Sequence, residues 1–142
     1  MAITAAICNS FKQEALQGIH LAAATYKIAL YTSSATLSKA TTAYTASNEV
    51  SSSGTGYTTA GQVLVGYTAG LDTDTAYLDW STDPSWASAT FTARGALIYN
   101  DTLGGKNAVA VLDFGSDYTA TNGTFLITFP AAAAATALIR IA

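Results

Sequence analysis

Apolar residues recur at every fourth position near the beginning of the chain, from residue 3 to residue 19. Positions four apart lie on the same side of an α-helix, so this spacing predicts one amphipathic helix within a helical arm, residues 1–24. Thr4 is the predicted N-cap, and Gly18 is the predicted left-handed residue just beyond the helix end. The apolar stripe would pack either on the chain's own sheet or on a neighbouring subunit. Its members are Ile3, Ile7, Phe11, Ala15 and Ile19.

From residue 25 onwards apolar and polar positions alternate, which is the spacing of strands that bury one face. Turn-forming residues separate the alternating segments, and no second helical pattern lies between them, which excludes a parallel α/β sheet. We therefore predict a mainly-β chain, an antiparallel β-sandwich with jelly-roll-like packing, that follows one N-terminal amphipathic helix. The predicted strands lie within residues 25–33, 61–68, 75–81, 89–100, 108–115, 124–130 and 137–142.

Glycine and asparagine residues mark three special positions among these strands. The segment NDTLGGKN, residues 100–107, predicts a hairpin joint in which Asn, Asp and the Gly-Gly pair supply positive-φ positions. Asn122-Gly123 predicts a turn between two further strands. Gly95, inside a predicted strand, indicates a bulge or a close approach of another backbone.

A long stretch rich in Ser, Thr and Ala, residues 32–60, separates the first two predicted strands. Loops of this length in compact domains are usually functional, ordered by a partner or disordered. Four apolar residues spaced along the stretch argue against disorder, so we expect an ordered segment that makes contacts. These anchors are Leu37, Tyr44, Val50 and Tyr57.

The length of 142 residues suits a single domain, residues 1–142, in which residues 25–142 form the sandwich behind the helical arm. Only 11% of the residues are charged, against about 25% in a typical soluble domain. A surface with so little charge repels its neighbours weakly. This favours association with other proteins, including copies of the chain itself.

The six basic residues are scattered, and the formal net charge is −3. Binding to nucleic acid and binding to an anionic membrane both use clustered Lys and Arg, so neither is predicted. No stretch reaches the roughly 20 apolar residues of a membrane-spanning helix, and Lys12, Gln13 and Glu14 interrupt any signal-like stretch near the start. We expect a protein that is made in a cytoplasm and stays soluble until it meets its partners.

Residues with catalytic chemistry are few. The single histidine, His20, follows the predicted helix end, where it would cap carbonyl groups or be exposed. The single cysteine, Cys8, lies among apolar helix positions, which indicates a buried and inert thiol. Asp72 and Asp74 alternate as Ca²⁺ ligands can, but the Gly and Glu of an EF-hand loop do not follow them. We predict no enzymatic activity, no catalytic residue, no cofactor and no metal site.

Two aromatic residues and one glycine-rich segment remain as candidates for binding. Trp80 and Trp86 flank a turn, where aromatic rings can stack on sugars or anchor an interface, although core packing also explains them. The segment GTGYTTAGQ, residues 54–62, lacks the Gly-Lys-Ser/Thr of a phosphate loop, and no helical pattern follows it. Nucleotide binding is therefore not predicted.

Six segments occur together in a characteristic order: ICNSFKQEALQGIH, YKIALYTSSATLSKATTAYTASNEV, GTGYTTAGQVL, ARGALIYND, AVAVLDFGSD and TFLITFPAAAAATALIRIA. In this combination the chain resembles a group of small structural proteins of tailed bacteriophages, among them cyanophages and other marine and freshwater phages. The resemblance covers nearly the whole chain. It implies a virion component made in the host cytoplasm, and it carries over no catalytic residue because its motifs are not functional-site motifs.

Three hypotheses about function follow. The first is a capsid decoration (cement) protein that bridges shell subunits and binds the major capsid protein, with residues 1–24 and 32–60 as contacts. The second is a tail, neck or fibre-associated subunit. The third is a receptor- or glycan-binding module that uses Trp80, Trp86 and the tyrosine-rich surface. A homo-oligomer is expected by analogy. The residues predicted at an interface are Ile3, Ile7, Phe11, Leu37, Tyr44, Tyr57, Trp80 and Trp86.

Overall fold

The computed structural model describes residues 2–142, which form a mainly-β chain with two antiparallel sheets and one short helix near the N-terminus. The predicted fold class, mainly β with antiparallel sheets and one N-terminal helix, is confirmed. In chain order the elements are β1 (Ala6–Ile7), α1 (Asn9–Leu16), β2 (Tyr26–Tyr31), β3 (Gln62–Val63), β4 (Tyr67–Asp72), β5 (Thr75–Trp80), β6 (Ser85–Asn100), β7 (Ala108–Leu126) and β8 (Ile139–Ile141).

The chain divides into two compact units, each with one sheet. The first consists of the chain up to Val63 together with Trp86–Phe125. Its five-stranded sheet has the order β1-β7-β6-β2-β3. The strands in the middle of this sheet supply a largely aliphatic core, whose fully buried side chains include Ile28, Leu30, Leu97, Ile98, Val109 and Val111.

The second unit consists of Leu64–Ser85 and Leu126–Ala142. Its three-stranded sheet has the order β4-β5-β8, with both pairs antiparallel. The predicted strands at 75–81 and 137–142 correspond to β5 and β8. The division predicted from the sequence, an arm followed by a sandwich, does not coincide with the two units.

The helix is shorter than the sequence spacing predicts, because it spans Asn9–Leu16 and residues 3–7 are not helical. Ile3 instead forms a parallel bridge to Leu37, and β1 pairs antiparallel with β7. A short isolated helix is marginal in water, whereas pairing with a sheet gives these backbone groups lasting hydrogen-bond partners. The tertiary pairing therefore overrides the helical spacing at the start of the chain.

The prediction for α1 is wrong at its N-terminal end and correct at its C-terminal end. Cys8 is the N-cap, in an extended conformation and without a side-chain capping bond, so the predicted N-cap Thr4 is wrong. At the other end Gly18 has a φ of 73°, and its N–H donates to the carbonyl of Ala15 at 3.2 Å. The predicted left-handed glycine after the helix is therefore confirmed.

β6 and β7 form the predicted hairpin, but they are 16 and 19 residues long, and the turn predicted at Asn122-Gly123 is wrong. β7 runs through this point to Leu126 because the backbone of Asn122 is held to β6: its N–H donates to Thr90 Oγ1 at 2.9 Å. Both Gly115 and Asn122 have positive φ inside the strand, which is a conformation typical of β-bulges. The turn-forming residues therefore bend the strand instead of ending it.

The joint between β6 and β7 also differs in detail from the prediction. Positive φ occurs at Lys106, at 49°, and at none of the predicted positions, which are Asn100, Asp101, Gly104, Gly105 and Asn107. The Lys106 N–H donates to the carbonyl of Leu103 at 2.9 Å, and its Nζ pairs with Asp101. These two bonds hold a residue with a side chain in a backbone region that usually favours glycine.

The predicted strand at 61–68 is interrupted, since β3 ends at Val63 and β4 begins at Tyr67. Gly66, at a φ of 84°, lies in the break. The predicted close approach at Gly95 is confirmed, because a Cβ there would lie 2.6 Å from the carbonyl oxygen of Leu112.

Residues 32–60 form an ordered segment, as predicted, and their apolar anchors hold them to the first unit. Leu37, Val50 and Tyr57 are buried, and Tyr44 is half-buried. Isolated β-bridges also join the segment to β2 and to the residue that precedes β7. The segment therefore belongs to the first unit.

Candidate functional surface

The residues predicted at an interface lie mostly in the chain's own core. The six whose side chains are buried are Ile3, Phe11, Leu37, Tyr57, Trp80 and Trp86. Ile7 and Tyr44 are half-buried. A buried side chain is not available to another protein while the chain stays folded, so these six residues do not form a contact surface.

The two tryptophans pack against other aromatic rings. Trp86 lies 6.1 Å from the rings of both Tyr57 and Phe125, measured between ring centroids. Trp80 lies edge-on to Tyr67 at 6.0 Å. Sugar stacking needs an exposed ring face, which these buried rings do not present, so the geometry does not favour the glycan-binding hypothesis. A Trp86→Ala substitution would remove core contacts, and its effect on binding would not report on a sugar site.

The N-terminal segment packs on its own chain. The Cys8 N–H donates to the carbonyl of Val109 at 3.0 Å, and the Asn9 N–H donates to that of Lys39 at 2.8 Å. Phe11 is the buried residue of α1, and β1 extends the five-stranded sheet beside β7. Of the two alternatives for the apolar stripe, packing on the chain's own sheet is confirmed. The segment is therefore not free to reach onto a neighbour as an arm.

Glu49 accepts three hydrogen bonds in the first unit. Its Oε2 accepts from the Tyr44 hydroxyl at 2.7 Å, and its Oε1 accepts from the Tyr57 hydroxyl at 2.6 Å and from the Ala60 N–H at 2.7 Å. The Tyr57 hydroxyl in turn accepts from the Leu30 N–H at 2.9 Å. These bonds tie residues 32–60 to β2. The tyrosine cluster around Glu49 consists of Tyr31, Tyr44, Tyr57 and Tyr99.

Burial raises the pKa of all four hydroxyls of the tyrosine cluster above the usual range for tyrosine. The bonds of Tyr44 and Tyr57 to Glu49 raise their pKa further, because a phenolate can no longer donate to a carboxylate and is repelled by its charge. The tyrosines therefore stay neutral and act as internal hydrogen-bond donors.

The side chain of His20 is buried and hydrogen-bonded to other side chains, so the prediction that it caps carbonyl groups or is exposed is wrong. Its Nε2 lies 2.6 Å from Glu14 Oε2, and its Nδ1 lies 3.2 Å from Asn100 Nδ2. Asn107 Nδ2 donates to Glu14 Oε1 at 2.9 Å. The two asparagines lie at the ends of β6 and of the hairpin joint, far from His20 in the sequence. This distance in sequence is why the local pattern gave no indication of the cluster.

The bonds around Asn100 determine where the His20 proton lies. The Thr102 N–H donates to Asn100 Oδ1 at 3.1 Å, so the amide nitrogen of Asn100 faces His20 Nδ1, which has to accept. The proton is then on Nε2, which donates to the Glu14 carboxylate. Both ring nitrogens are used in internal bonds. The imidazole is a link between the helix and the hairpin, and it is not positioned as a general base.

The Cys8 side chain is fully buried, as predicted. Burial raises the pKa of its thiol to about 11, with a smaller contribution from the negative charge of Glu14. The thiolate is the reactive form of cysteine, so a thiol that stays protonated is a poor nucleophile.

The acidic residues of the second unit serve different purposes. Asp72 and Asp74 are exposed at the turn between β4 and β5. Asp79 is buried, burial raises its pKa, and its carboxylate accepts from the N–H groups of Trp80 and Leu138 at 2.8 and 3.2 Å. Asp79 therefore holds the C-terminal segment onto β5. Within residues 2–142 no group of three His, Cys, Asp or Glu side chains is placed to hold a metal ion.

None of the helical structure described for residues 2–142 is long and apolar enough to cross a membrane.

One face of the three-stranded sheet is apolar across all three strands. Residues directly opposite each other in an antiparallel pair share a face, and the register joins Leu71 to Ala76 and Ala76 to Ile141. The next row on the same face consists of Ala69, Leu78 and Ile139.

Exposure changes sharply along this face. Leu78 and Ile139 are 9% and 2% exposed, whereas Leu71 and Ile141 are 71% and 61% exposed. One end of the face therefore belongs to the core of the unit, and the other end presents apolar side chains to water. Isolated exposed apolar residues are ordinary, whereas these side chains are adjacent across neighbouring strands and form a candidate contact surface. We call Leu71, Ala76 and Ile141 the apolar row.

Sequence reasoning did not single out the apolar row. The alternation within residues 75–81 shows which β5 residues share a face. It does not show that β8 pairs with β5, because Leu71 and Ile141 are far apart in the chain. Only the strand register brings the three side chains together.

No protein-family model, curated protein or solved structure matches this chain.

Proposed function

We propose that this chain is a non-enzymatic structural subunit of a tailed-bacteriophage virion, and that it decorates the capsid shell by binding shell proteins. The observation that carries the proposal is the apolar row, a contiguous apolar surface at the end of a well-formed sheet. The resemblance of nearly the whole chain to small phage structural proteins supplies the partner. The chain is made in the host cytoplasm and acts in the assembled virion.

The mechanism is burial of the apolar row against the shell. Removing apolar surface from water contributes about 25 cal/mol per Å² before the costs of association. A row of three side chains is a small contact. Repetition over a symmetric shell, and engagement of more than one shell subunit by each decorating unit, would turn it into a large total stabilisation.

The titratable side chains support a binding role over a catalytic one. Glu49, Glu14 and His20 are each held by hydrogen bonds within the first unit. Cys8 is buried, and the Asp79 carboxylate anchors backbone groups. These residues stabilise a fixed shape, which is what a subunit that acts by surface contact requires.

A co-sedimentation experiment with shells of the same phage's major capsid protein tests the proposal. Ile141→Lys places a charge in the apolar row, and Leu16→Lys makes the same kind of change on the exposed side of α1, where the native leucine is 92% exposed. We expect the wild-type chain and Leu16→Lys to pellet with shells. We expect Ile141→Lys to bind at least about tenfold more weakly.

Circular dichroism of each variant confirms that it folds. Failure of the wild-type chain to pellet with shells, or equal binding by Ile141→Lys, would overturn the proposal.

A further inference from the structure

Charge is divided unequally between the two units. The first unit contains five acidic and five basic residues, so with His20 neutral it has no formal net charge. The second unit contains four aspartates and one arginine, so it carries the whole formal charge of −3. A cationic partner is therefore attracted more strongly to the second unit than to the first. The charged residues of the second unit are Asp72, Asp74, Asp79, Asp83 and Arg140.

Two of these aspartates lie at the hairpin end that adjoins the apolar row. Leu71 and Ala76 form the second-last pair of the β4–β5 hairpin, and Asp72 pairs with Thr75 at its end. Asp72 and Asp74 are both exposed. Neither carboxylate forms an ion pair within residues 2–142. Their negative charges are therefore available to a partner that covers the apolar row.

The arginine of the second unit does not offset these two charges at the apolar row. Arg140 directly precedes Ile141 in β8, and successive residues of a strand point to opposite faces of the sheet. Arg140 is therefore on the face opposite to the apolar row, and its Nη1 donates to the carbonyl of Ala135 at 2.9 Å. The exposed charges next to the row are therefore negative.

We infer that the partner segment that covers the apolar row carries Lys or Arg side chains beside its own aliphatic side chains. The inference rests on the proposed function, in which this partner belongs to a shell protein. The aliphatic stem of a Lys or Arg can pack on Leu71 while its charged end stays in water near Asp72 and Asp74. Charge pairs at the rim of an interface select the partner and speed its approach, and salt weakens them.

A second copy of this chain lacks the complementary charge. Its apolar row has the same two carboxylates beside it, and its second unit again carries a formal charge of −3. Like charges brought together across an interface suppress the wrong partner. We therefore expect the apolar row to stay uncovered in the free chain until a cationic partner binds.

Three short peptides of equal length test the inference in titrations of the full chain followed by NMR. The first alternates valine with lysine, the second alternates valine with glutamate, and the third alternates serine with lysine. We expect the valine–lysine peptide to bind and to shift the backbone amide resonances of Leu71, Ala76 and Ile141. The valine–glutamate peptide lacks the positive charge, and the serine–lysine peptide lacks the apolar side chains. We expect each of them to bind at least about tenfold more weakly.

The double variant Asp72→Asn/Asp74→Asn removes both charges and keeps residue types that suit a turn. It should bind the valine–lysine peptide about fivefold more weakly than the wild-type chain at low salt, and the difference should shrink as salt is added. Asp117→Asn is the control, because it removes an exposed charge from the first unit and should leave binding unchanged. Equal binding of the two valine peptides, or wild-type affinity of the double variant at low salt, would overturn the inference.

The inference and the proposed function can fail separately. A wild-type chain that binds the valine–lysine peptide as expected but does not pellet with shells would contradict the proposed function alone. Shell binding that Ile141→Lys weakens, but that Asp72→Asn/Asp74→Asn leaves unchanged at every salt concentration, would contradict the inference alone.

Discussion

Individual polar residues of the first unit serve the structure as hydrogen-bond partners. Glu49 accepts from two tyrosines and one backbone N–H, and His20 bonds to Glu14 and Asn100. The sequence predicts that Cys8 is buried, because its neighbours at helical spacing are apolar. It could not predict the histidine cluster, because that depends on a hairpin that begins far along the chain.

Tyr57 provides the sharpest test of the tyrosine cluster. Its hydroxyl donates to Glu49 and accepts from the Leu30 N–H, so Tyr57→Phe leaves a buried donor and a carboxylate oxygen short of a partner. We expect a loss of about 2–3 kcal/mol in the free energy of unfolding. Tyr99→Phe is the control, because the Tyr99 hydroxyl donates a hydrogen bond to the Ala60 carbonyl at 2.6 Å. Loss of this bond should cost about 1 kcal/mol. Urea unfolding measures both, and equal losses would contradict the account.

Alkaline pH should destabilise the chain through the buried tyrosines. Burial raises the pKa of Tyr31 and Tyr57, whereas unfolded tyrosine titrates near pH 10. Their contribution is complete below about pH 10. It is lost as the pH rises further, because the unfolded chain releases protons that the folded chain keeps. Each such tyrosine lowers the free energy of unfolding by about 1.4 kcal/mol per pH unit in that range.

Unfolding free energies measured between about pH 9 and 11 test this expectation. Tyr57→Phe removes one of the titrating groups, so its stability should fall less steeply than that of the wild-type chain. A wild-type stability that stays constant over this range would show that the tyrosines titrate alike in both states.

At the scale of elements, the sequence-based predictions are correct where the local hydrophobic pattern agrees with the strand pairing. The alternation at β2 and β5 places both strands correctly, and the Gly18 cap is also correct. The errors occur where tertiary pairing overrides a local preference. Ile3 and β1 have helical spacing but pair with other parts of the first unit, and Asn122 looks like a turn but bends a continuous strand. Local propensity alone cannot reveal a long-range partner.

Gly95 tests how closely β6 and its neighbours pack. A Cβ at this position would lie 2.6 Å from the Leu112 carbonyl oxygen and 2.8 Å from Ile3 Cγ2, so Gly95→Ala should destabilise the chain by about 1–3 kcal/mol. Gly104→Ala is the matched control, since nothing lies within 4 Å of the added carbon. Its stability should change by no more than about 0.5 kcal/mol in thermal unfolding. Similar stabilities of the two variants would contradict the close packing at Gly95.

At the scale of the whole molecule, the structure divides the large apolar residues between core and surface differently from the sequence prediction. The sequence predicts Trp86, Tyr57 and Leu37 at an interface, whereas the structure buries all three in the core. Large apolar residues are mostly buried in any folded protein, so their type and spacing could not distinguish core from contact surface. Leu71 and Ile141 are informative because they are exposed and adjacent across strands. That adjacency results from the strand register, so no single segment of the sequence shows it.

The measurement that tests the central claim most directly is the copy number of this chain in purified phage particles, relative to the major capsid protein, by quantitative mass spectrometry. Decoration of the shell predicts a ratio near one-to-one or a simple fraction of it, because the chain then repeats with the shell lattice. A handful of copies per particle would contradict decoration and indicate a neck, tail or fibre subunit. Complete absence from particles would contradict a role in the virion.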